Sequence, residues 1–358
     1  MKKKILSVLL STAMVAALLT GCGAAAETAA PAATEEAAPA EEEAEEAPAE
    51  EEAEAPAEEE AAADSALLPG GGSNTIYCIT PSTSNVFFGT VQTICEKVGT
   101  EMGYEVKCFS HDDDAAAQSD LFDQAIADGA CFIVCDNAGA DASVEAVQRA
   151  AEAGIPTFLV DREINTTGDA VAQIVADNAQ GAAAIAEAWV DAMGYEGQYA
   201  ELLGLESDTN CHVRSDNFHS VIDEYPDLEM VAQQSANWDQ TEAYEKTEAI
   251  LQANPDIKGI ICGNDTMACG AAAACKDAGR EDMLIIGVDG SDDAAALIKE
   301  GRMVGTALQQ IAYITQLAVE QGDAYLKGTA PAEEKQLVEC IAITKDNVDN
   351  LSAFVYEE

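Results

Sequence analysis

Positive charge is what this chain lacks most. Its 358 residues hold 17 Lys and Arg and 3 His against 66 Asp and Glu, a formal charge of -49. That excess repels nucleic acid and the anionic face of a membrane, so neither is expected as a partner. Catalytic fingerprints are missing as well: there is no G-x-S-x-G elbow, phosphate-binding loop, dinucleotide fingerprint or H-E-x-x-H helix. No positioned nucleophile stands beside the acids, and catalysis is not expected. Among 11 cysteines there is no Cys-x-x-Cys. Cys131 and Cys135 lie four apart in an expected strand, roughly 13 Å from each other, too far to share a metal or a disulfide. Most others fall in apolar runs or helical patterns, so they read as small buried hydrophobes. Disulfides between neighbouring strands stay open. Metal sites find no complete donor set. His212 and His219 have no third ligand near them, and Asp112-Asp-Asp114 reads as a solvated first helical turn. The run Asp289–Asp293 lacks the later Glu of a calcium loop. Neither metal nor cofactor is expected.

What is present begins at the amino terminus. Met1-Lys-Lys-Lys4 is a positive n-region, and Ile5 to Leu19 is an apolar stretch too short to span a bilayer comfortably. It runs into Leu19-Thr-Gly-Cys22, which resembles a bacterial lipoprotein signal cleaved before a lipidated cysteine. That resemblance implies residues 1–22 as signal peptide and lipobox, with Cys22 carrying the lipid. The protein would then be extracytoplasmic and held at the cell membrane by its lipid alone. Residues 23–73 are almost wholly Ala, Glu and Pro, with fifteen Glu and one Asp against no Lys or Arg. Like charges oppose helix there and prolines interrupt it, so a disordered, self-repelling tether is expected. About 50 such residues reach roughly 40 Å as a coil.

From Asn74 the pattern changes to strand and helix signals in alternation. Strand-like runs occur at Thr75–Ile79, Glu105–Phe109, Cys131–Cys135, Pro156–Val160, Gln198–Leu203, Lys258–Cys262, Leu284–Val288 and Met303–Ala307. Amphipathic helical segments lie between most of them, among them Val91–Met102, Leu121–Ala127, Ala142–Ala153 and Ala182–Met193. Such alternation predicts an α/β fold of right-handed βαβ units with parallel sheets. Nearly 270 residues are more than one sheet handles well, so two lobes are expected.

Polar residues recur where these strands end. Pro156–Val160 runs straight into Asp161-Arg162, an acid and a base at the carboxyl end of a buried strand. Ligands of open α/β sheets sit beyond such ends. Asp accepts from hydroxyl groups and Arg donates to hydroxyl oxygens, so the pair suits a neutral polyol. The plain alternative is a salt-bridged strand end. Ser84-Asn85-Val-Phe87-Phe88 follows the first strand; Gly263-Asn264-Asp265, Gly287-Val-Asp289-Gly290 and Gln309-Gln310 follow later ones. Arg214 lies in a helix after Gln198–Leu203, and Asn237-Trp238-Asp239 stands near Ser235. Asp265 reads as a helix cap or hinge support rather than a ligand group.

In this order the motifs resemble a type I periplasmic solute-binding protein of the ribose-binding branch, across Asn74 to Asn347. The shared pattern is Asn-x-Phe-Phe, Val-Asp-Arg, Arg-x-x-x-Phe, Gly-Asn-Asp-x-Met, Gly-x-Asp-Gly and a late Gln. The resemblance implies two doubly wound parallel-sheet lobes joined by a three-crossover hinge. They would close over one monosaccharide, a ribose-like pentose or a hexose, and deliver it to the permease subunits of an ABC importer. Carried over by residue, Asn85, Asp161, Arg162, Arg214, Asn264, Asp289 and Gln309 hold the hydroxyls, while Phe87, Phe88 and Trp238 pack on the apolar ring faces. Trp238 stands where the ribose type usually has Phe, which alters the pocket's shape, and Val86 replaces a common Pro.

Four rivals remain. An enzyme would need the nucleophile that is missing. A repressor of the same fold would carry a DNA-binding helix-turn-helix where this chain has an export signal. A sensing module would present the same loaded protein to a signalling receptor, and a non-sugar polar ligand would use the same donors. The lobes are expected at 74–176 with 310–337, and at 177–309 with 338–358, in a monomer whose hinge lies near Ala176, Gln309 and Leu337.

Overall fold

A computed structural model describes residues 67–357. The signal segment, Cys22 and residues 23–66 of the tether lie outside them. The chain opens β1 (Thr75–Thr80), α1 (Val86–Glu101), β2 (Glu105–Ser110), α2 (Ala115–Ala127), β3 (Phe132–Cys135), α3 (Val144–Glu152), β4 (Thr157–Val160) and β5 (Ala172–Ala176). It crosses into α4 (Asn178–Met193), β6 (Gly197–Leu203), α5 (Thr209–Ile222), β7 (Leu228–Ser235), α6 (Gln240–Ala253), β8 (Gly259–Cys262), α7 (Asp265–Asp277), β9 (Leu284–Asp289), α8 (Asp292–Glu300) and β10 (Gly305–Leu308). It then returns through α9 (Ile311–Leu326) and β11 (Lys335–Val338), and ends on β12 (Ile341–Thr344), β13 (Leu351–Ser352) and β14 (Val355–Tyr356).

Two six-stranded sheets result, ordered β11-β5-β4-β3-β1-β2 and β12-β10-β9-β8-β6-β7. The first is wholly parallel; in the second only β12 runs antiparallel, against β10. The chain passes between them after β5, after β10 and after β11. Alternation along the strands explains how each sheet is covered. Tyr77 and Ile79 face the cluster with Phe122, Val147 and Leu159, whereas Ile76 and Cys78 face Val91, Cys95, Phe132 and Val319. In the second sheet Ile261, Ile286 and Val288 bury themselves under Ala182, Ile185 and Trp189 of α4.

Helix starts follow the sequence closely. Asn85, Asp114, Asp177, Asp208, Asp239, Asn264 and Ser291 each accept a backbone N–H of the helix they precede. α1 and α4 therefore begin several residues before the helical segments expected from the sequence, at Val86 rather than Val91 and at Asn178 rather than Ala182. β5 and the edge strand β7 are not legible as strands. Two ends also shift. Residues 67–73, expected as tether, lie on the first lobe: Leu68 N–H donates to Tyr325 Oη, and Gly70, Gly71 and Ser73 bond to Gly154, Ala130 and Gly129. The closing Gly-rich turn supplies the close backbone approach, which side chains would block. Val338, expected in the second lobe, still pairs with Ala176 of the first. All ten cysteines among the described residues are free thiols.

His212 is exposed, while His219 has a structural partner. Its Nε2 lies 3.1 Å from the buried Glu201 carboxylate of β6 and its Nδ1 3.1 Å from Asp223. The Glu201 bond, then Asp223, raises His219 to about 9 against the opposing effect of burial. Folding stability from this group is complete below about pH 6.5 and declines as pH rises through 9. A His219→Gln variant should therefore lose roughly 1–2 kcal/mol near pH 6 and little near pH 10, read by urea unfolding.

Candidate functional site

The carboxyl ends of both sheets face one another, and the side chains at those ends meet. Asp161 leaves β4 with φ +61, a left-handed conformation that turns its carboxyl group and the adjacent Arg162 into the interior. Arg162 is 1 % exposed. One NH1 hydrogen goes to Asp113 at 2.7 Å and another to the Asn137 carbonyl at 3.0 Å. Its Nε lies 2.8 Å from Asp208 of the opposite lobe and 3.5 Å from Asp136, but is aligned for a hydrogen bond with neither. The guanidinium also lies over the Phe88 ring, 5.2 Å from its centroid. Burial opposes its charge, yet Asp208, Asp136, Asp113 and Asp161 together raise its pKa.

Arg214 is the counterpart in the second lobe. Its Nε donates to Asn178 at 2.7 Å, its NH1 to the Gly263 carbonyl at 2.9 Å, and Asp289 lies 3.8 Å away. The guanidinium covers the Trp238 ring at 5.3 Å. Asn178 in turn accepts Arg214 while donating to Asn210 Oδ1, and Asn210 donates to the Asp161 carbonyl at 3.1 Å. A continuous line of bonds thus runs from one lobe to the other behind the cavity. Trp238 has φ +63, and its indole fills space that Gly204 and Gly263 leave: a Cβ on Gly204 would fall 2.0 Å from the ring. The wider Trp is accommodated by glycine at that point.

Asn85 and Asn264 each spend Oδ1 on their own helix, at Phe87 N and Met267 N. Among the described residues neither Nδ2 has a bond, so both amide NH2 groups remain as donors toward the cavity they line. Gln309 donates to Asp289 at 2.7 Å, which ties the end of β10 to the end of β9. Burial raises Asp289, with Arg214 opposing.

All ten residues singled out from the sequence line one cavity: Asn85, Phe87, Phe88, Asp161, Arg162, Arg214, Trp238, Asn264, Asp289 and Gln309. Asp208 joins them. Its carboxylate caps α5 through Asn210 N–H as well as facing Arg162. Three acids escape or mislead a reading of the sequence. Asp112, Asp113 and Asp114 are solvent-exposed, as expected, but all three precede α2: Asp114 does the capping, and Asp113, at φ +59, also reaches Arg162. Asp136 ends β3 just as Asp161 ends β4, so the strand-end rule could have found it. Asp208 looks like an ordinary cap, and only closure of the lobes brings it to Arg162. Asp265 lies outside the cavity lining, and the cap is Asn264; the Asp265 carboxylate accepts from Gly290 N, Ser291 N and Thr306 Oγ1, tying three elements together.

Polar atoms in and around this cavity are left without partners among the described residues: Asp136 Oδ1 and Oδ2, Asp161 Oδ1, Trp238 Nε1 and Gln309 Oε1. Buried polar atoms are ordinarily paired, so such a gathering calls for partners that the described residues do not supply. For the two acids a proton supplies part of the answer. Burial, then the Asp161 charge, raises Asp136; burial, then Asp208, raises Asp161 to about 6. With both ionised neither has a donor; a proton on Asp136 provides one.

Residues 76–330 match the family described as the periplasmic binding protein domain. The D-apiose import binding protein of Actinobacillus succinogenes is 51% identical over 281 residues, 78% of this chain and 91% of that one. The ribose import binding protein of Bacillus subtilis is 31% identical over 254 residues, 71% of this chain and 82% of that one. Among solved structures, a periplasmic solute-binding protein of an ABC transporter from Actinobacillus succinogenes, with bound D-allose, superposes with a TM-score of 0.73. It is 27% identical, and the match covers 77% of this chain and 99% of that one.

Proposed function

Because this chain belongs to the periplasmic binding protein family, we propose that it is the sugar-capturing component of an ABC importer and that its ligand is D-apiose. The observation that carries the sugar is the set of unpartnered buried polar atoms around a cavity walled by Phe87, Phe88 and Trp238. A monosaccharide satisfies both halves of that wall. Its hydroxyls donate to Asp161 and Gln309 Oε1 and accept from Arg162, Arg214 and the two Asn amides, while its C–H faces lie on the rings. The choice of D-apiose rests on the relative of 51% identity. Among the described residues no side chain of the cavity is arranged as a nucleophile with its base, so capture and release, not turnover, is the activity.

Outside the cavity, the sequence supports an anchored protein. Cys22 carries a lipid, residues 23–66 hold the binding domain off the membrane, and the loaded protein meets the permease outside the cytoplasm. The crossovers at Asp177, at Gln309–Gln310 and at Glu339–Cys340 are the hinge. Gln310, at φ +53, is one place where motion would be absorbed.

Titration calorimetry with D-apiose, D-ribose and D-allose tests the sugar. D-apiose should bind tightest and, at a hundredfold excess over its Kd, add about 2.7 kcal/mol of stability. No heat from any of the three would overturn the reading. Fluorescence gives a second check. Trp238 should report binding, whereas Trp189 is fully buried with Nε1 bonded to the Leu284 carbonyl and should stay constant. A Trp238→Phe variant should lose the signal; retention of it would remove Trp238 from the sugar's wall.

A further inference from the structure

The carboxyl-terminal hairpin does something the cavity's own residues do not explain. β13 and β14 pair over two residues each, so that Leu351 faces Tyr356 and Ser352 faces Val355. Its turn residues, Ala353 and Phe354, both have positive φ, +49 and +61. Two-residue hairpins of this shape ordinarily carry Asn and Gly, because other residues meet their own Cβ there. A turn strained at two successive positions persists only where its surroundings hold it.

The hairpin is held by the second lobe. Ala353 N–H donates to Asp292 at the start of α8 at 2.8 Å, Lys299 pairs with Asp349 at 3.2 Å, and Val348 and Leu351 are buried. Yet the side chain at its tip reaches the first lobe. Phe354, 5 % exposed, meets Phe87 edge to face, with centroids 5.7 Å apart and planes at 84°. Phe87 stands in the same relation to Phe88, at 5.6 Å and 88°, and Phe88 lies under Arg162. A row of three rings and a guanidinium therefore connects the carboxyl-terminal hairpin to the cavity wall.

We propose that Phe354 is a positioning residue for the ligand: anchored to the second lobe, it seats on Phe87 of the first when the lobes come together and so slows their reopening. It touches no ligand; it acts through Phe87, whose ring lines the cavity. The strained turn aims the ring across the gap, and Asp292 and the buried Leu351 hold the turn in place. When the lobes part, the Phe354 ring leaves Phe87 and becomes exposed. The contact thus favours the closed form over the open one, which is the condition for influencing ligand release. Its size is that of one edge-to-face aromatic pair, enough for about a tenfold change in an equilibrium.

This role for Phe354 rests on the sugar reading, and the experiment separates the two. The wild-type chain, Phe354→Ala and Phe354→Leu are compared with D-apiose, D-ribose and D-allose as probes, by calorimetry, stopped-flow Trp238 fluorescence and thermal unfolding without sugar. Phe354→Ala should release sugar about tenfold faster and bind about tenfold more weakly, with the unliganded unfolding midpoint nearly unchanged. Phe354→Leu keeps the apolar bulk but loses the ring edge, and should fall about threefold short of wild type. A lowered unliganded midpoint with unaltered affinity would make Phe354 a core residue and overturn the proposal. So would a release rate within about twofold of wild type. If wild type itself takes up none of the three sugars, the sugar reading fails first and the role of Phe354 goes with it. Heat from wild type with no change in Phe354→Ala rejects the hairpin's role alone.

Discussion

Arg162→Ala should abolish measurable sugar binding and also cost the unliganded protein about 3–5 kcal/mol of stability. Both follow from one arrangement. The guanidinium is buried among Asp113, Asp136, Asp161 and Asp208, with Asp113 and Asp208 at 2.7 and 2.8 Å. Removing the cation leaves these carboxylates facing one another without their shared counter-charge, and it leaves the Asn137 carbonyl without a donor. Binding suffers for a different reason: the sugar loses a charged donor, and Phe88 loses the cation above its ring. Arg162→Lys separates the effects. It keeps the charge, so most stability should return, but it lacks the planar fork, so binding should remain at least about tenfold weaker. Urea unfolding and calorimetry read the two quantities independently. An alanine variant that unfolds like wild type would mean that the acids are protonated or hydrated and that Arg162 is not their counter-ion. An alanine variant that still binds within about tenfold would remove Arg162 from the sugar's donors.

Much of this site is legible because its residues follow a rule of position. Asp161, Arg162, Asn264, Asp289 and Gln309 each stand at or just past the carboxyl end of a buried apolar strand, and apolar runs are what sequence displays best. Asn85 can be read twice, as a cap and as a donor, and it serves as both by dividing its oxygen and nitrogen between the tasks. Relations between lobes are not legible. Asp208 reaches Arg162 only through the approach of two units that no periodicity encodes, and Phe354 reaches Phe87 by the same approach. The strands that escape notice have local causes. β7 lies at a sheet edge and keeps its Glu229, Met230 and Gln234 side chains partly or fully exposed, so it lacks an apolar signature. β5 reads Ala-Gln-Ile-Val-Ala, where Gln173 breaks the apolar run; that Gln is buried because Ile164 N–H and Glu334 occupy its amide.

Asp161→Asn should make the unliganded protein less dependent on pH, and the sign is fixed by what surrounds the acid. Burial, then the nearby Asp208 charge, raises Asp161 to about 6, while Arg214 and Arg162 oppose. An acid with a folded pKa above its unfolded value stabilises the fold fully below the unfolded value, near 4. That contribution is lost as pH rises through 6. A carboxyl pKa carried from about 4 to about 6 by folding corresponds to about 3 kcal/mol. The wild-type chain should therefore lose about 3 kcal/mol relative to Asp161→Asn between about pH 4 and pH 7, because the amide cannot ionise. Comparing the two proteins cancels titrating groups remote from Asp161, among them Asp128, which is held low by Tyr77 and Lys107 and works in the opposite direction, while Asp136, raised in part by the Asp161 charge, shifts with the substitution. The same loss should appear in closure, since parting of the lobes separates Asp161 from Asp208 and returns both to water. Unliganded wild type should then be more open at pH 7 than at pH 5, and sugar, which offers hydroxyl donors to an ionised Asp161, would restore closure at the higher pH. Denaturant unfolding at half-unit steps of pH reads the first effect. A difference between the two proteins that stays constant from pH 4 to pH 7 would mean that Asp161 is ionised throughout and that a different acid of the cluster, Asp136 foremost, carries the proton alone.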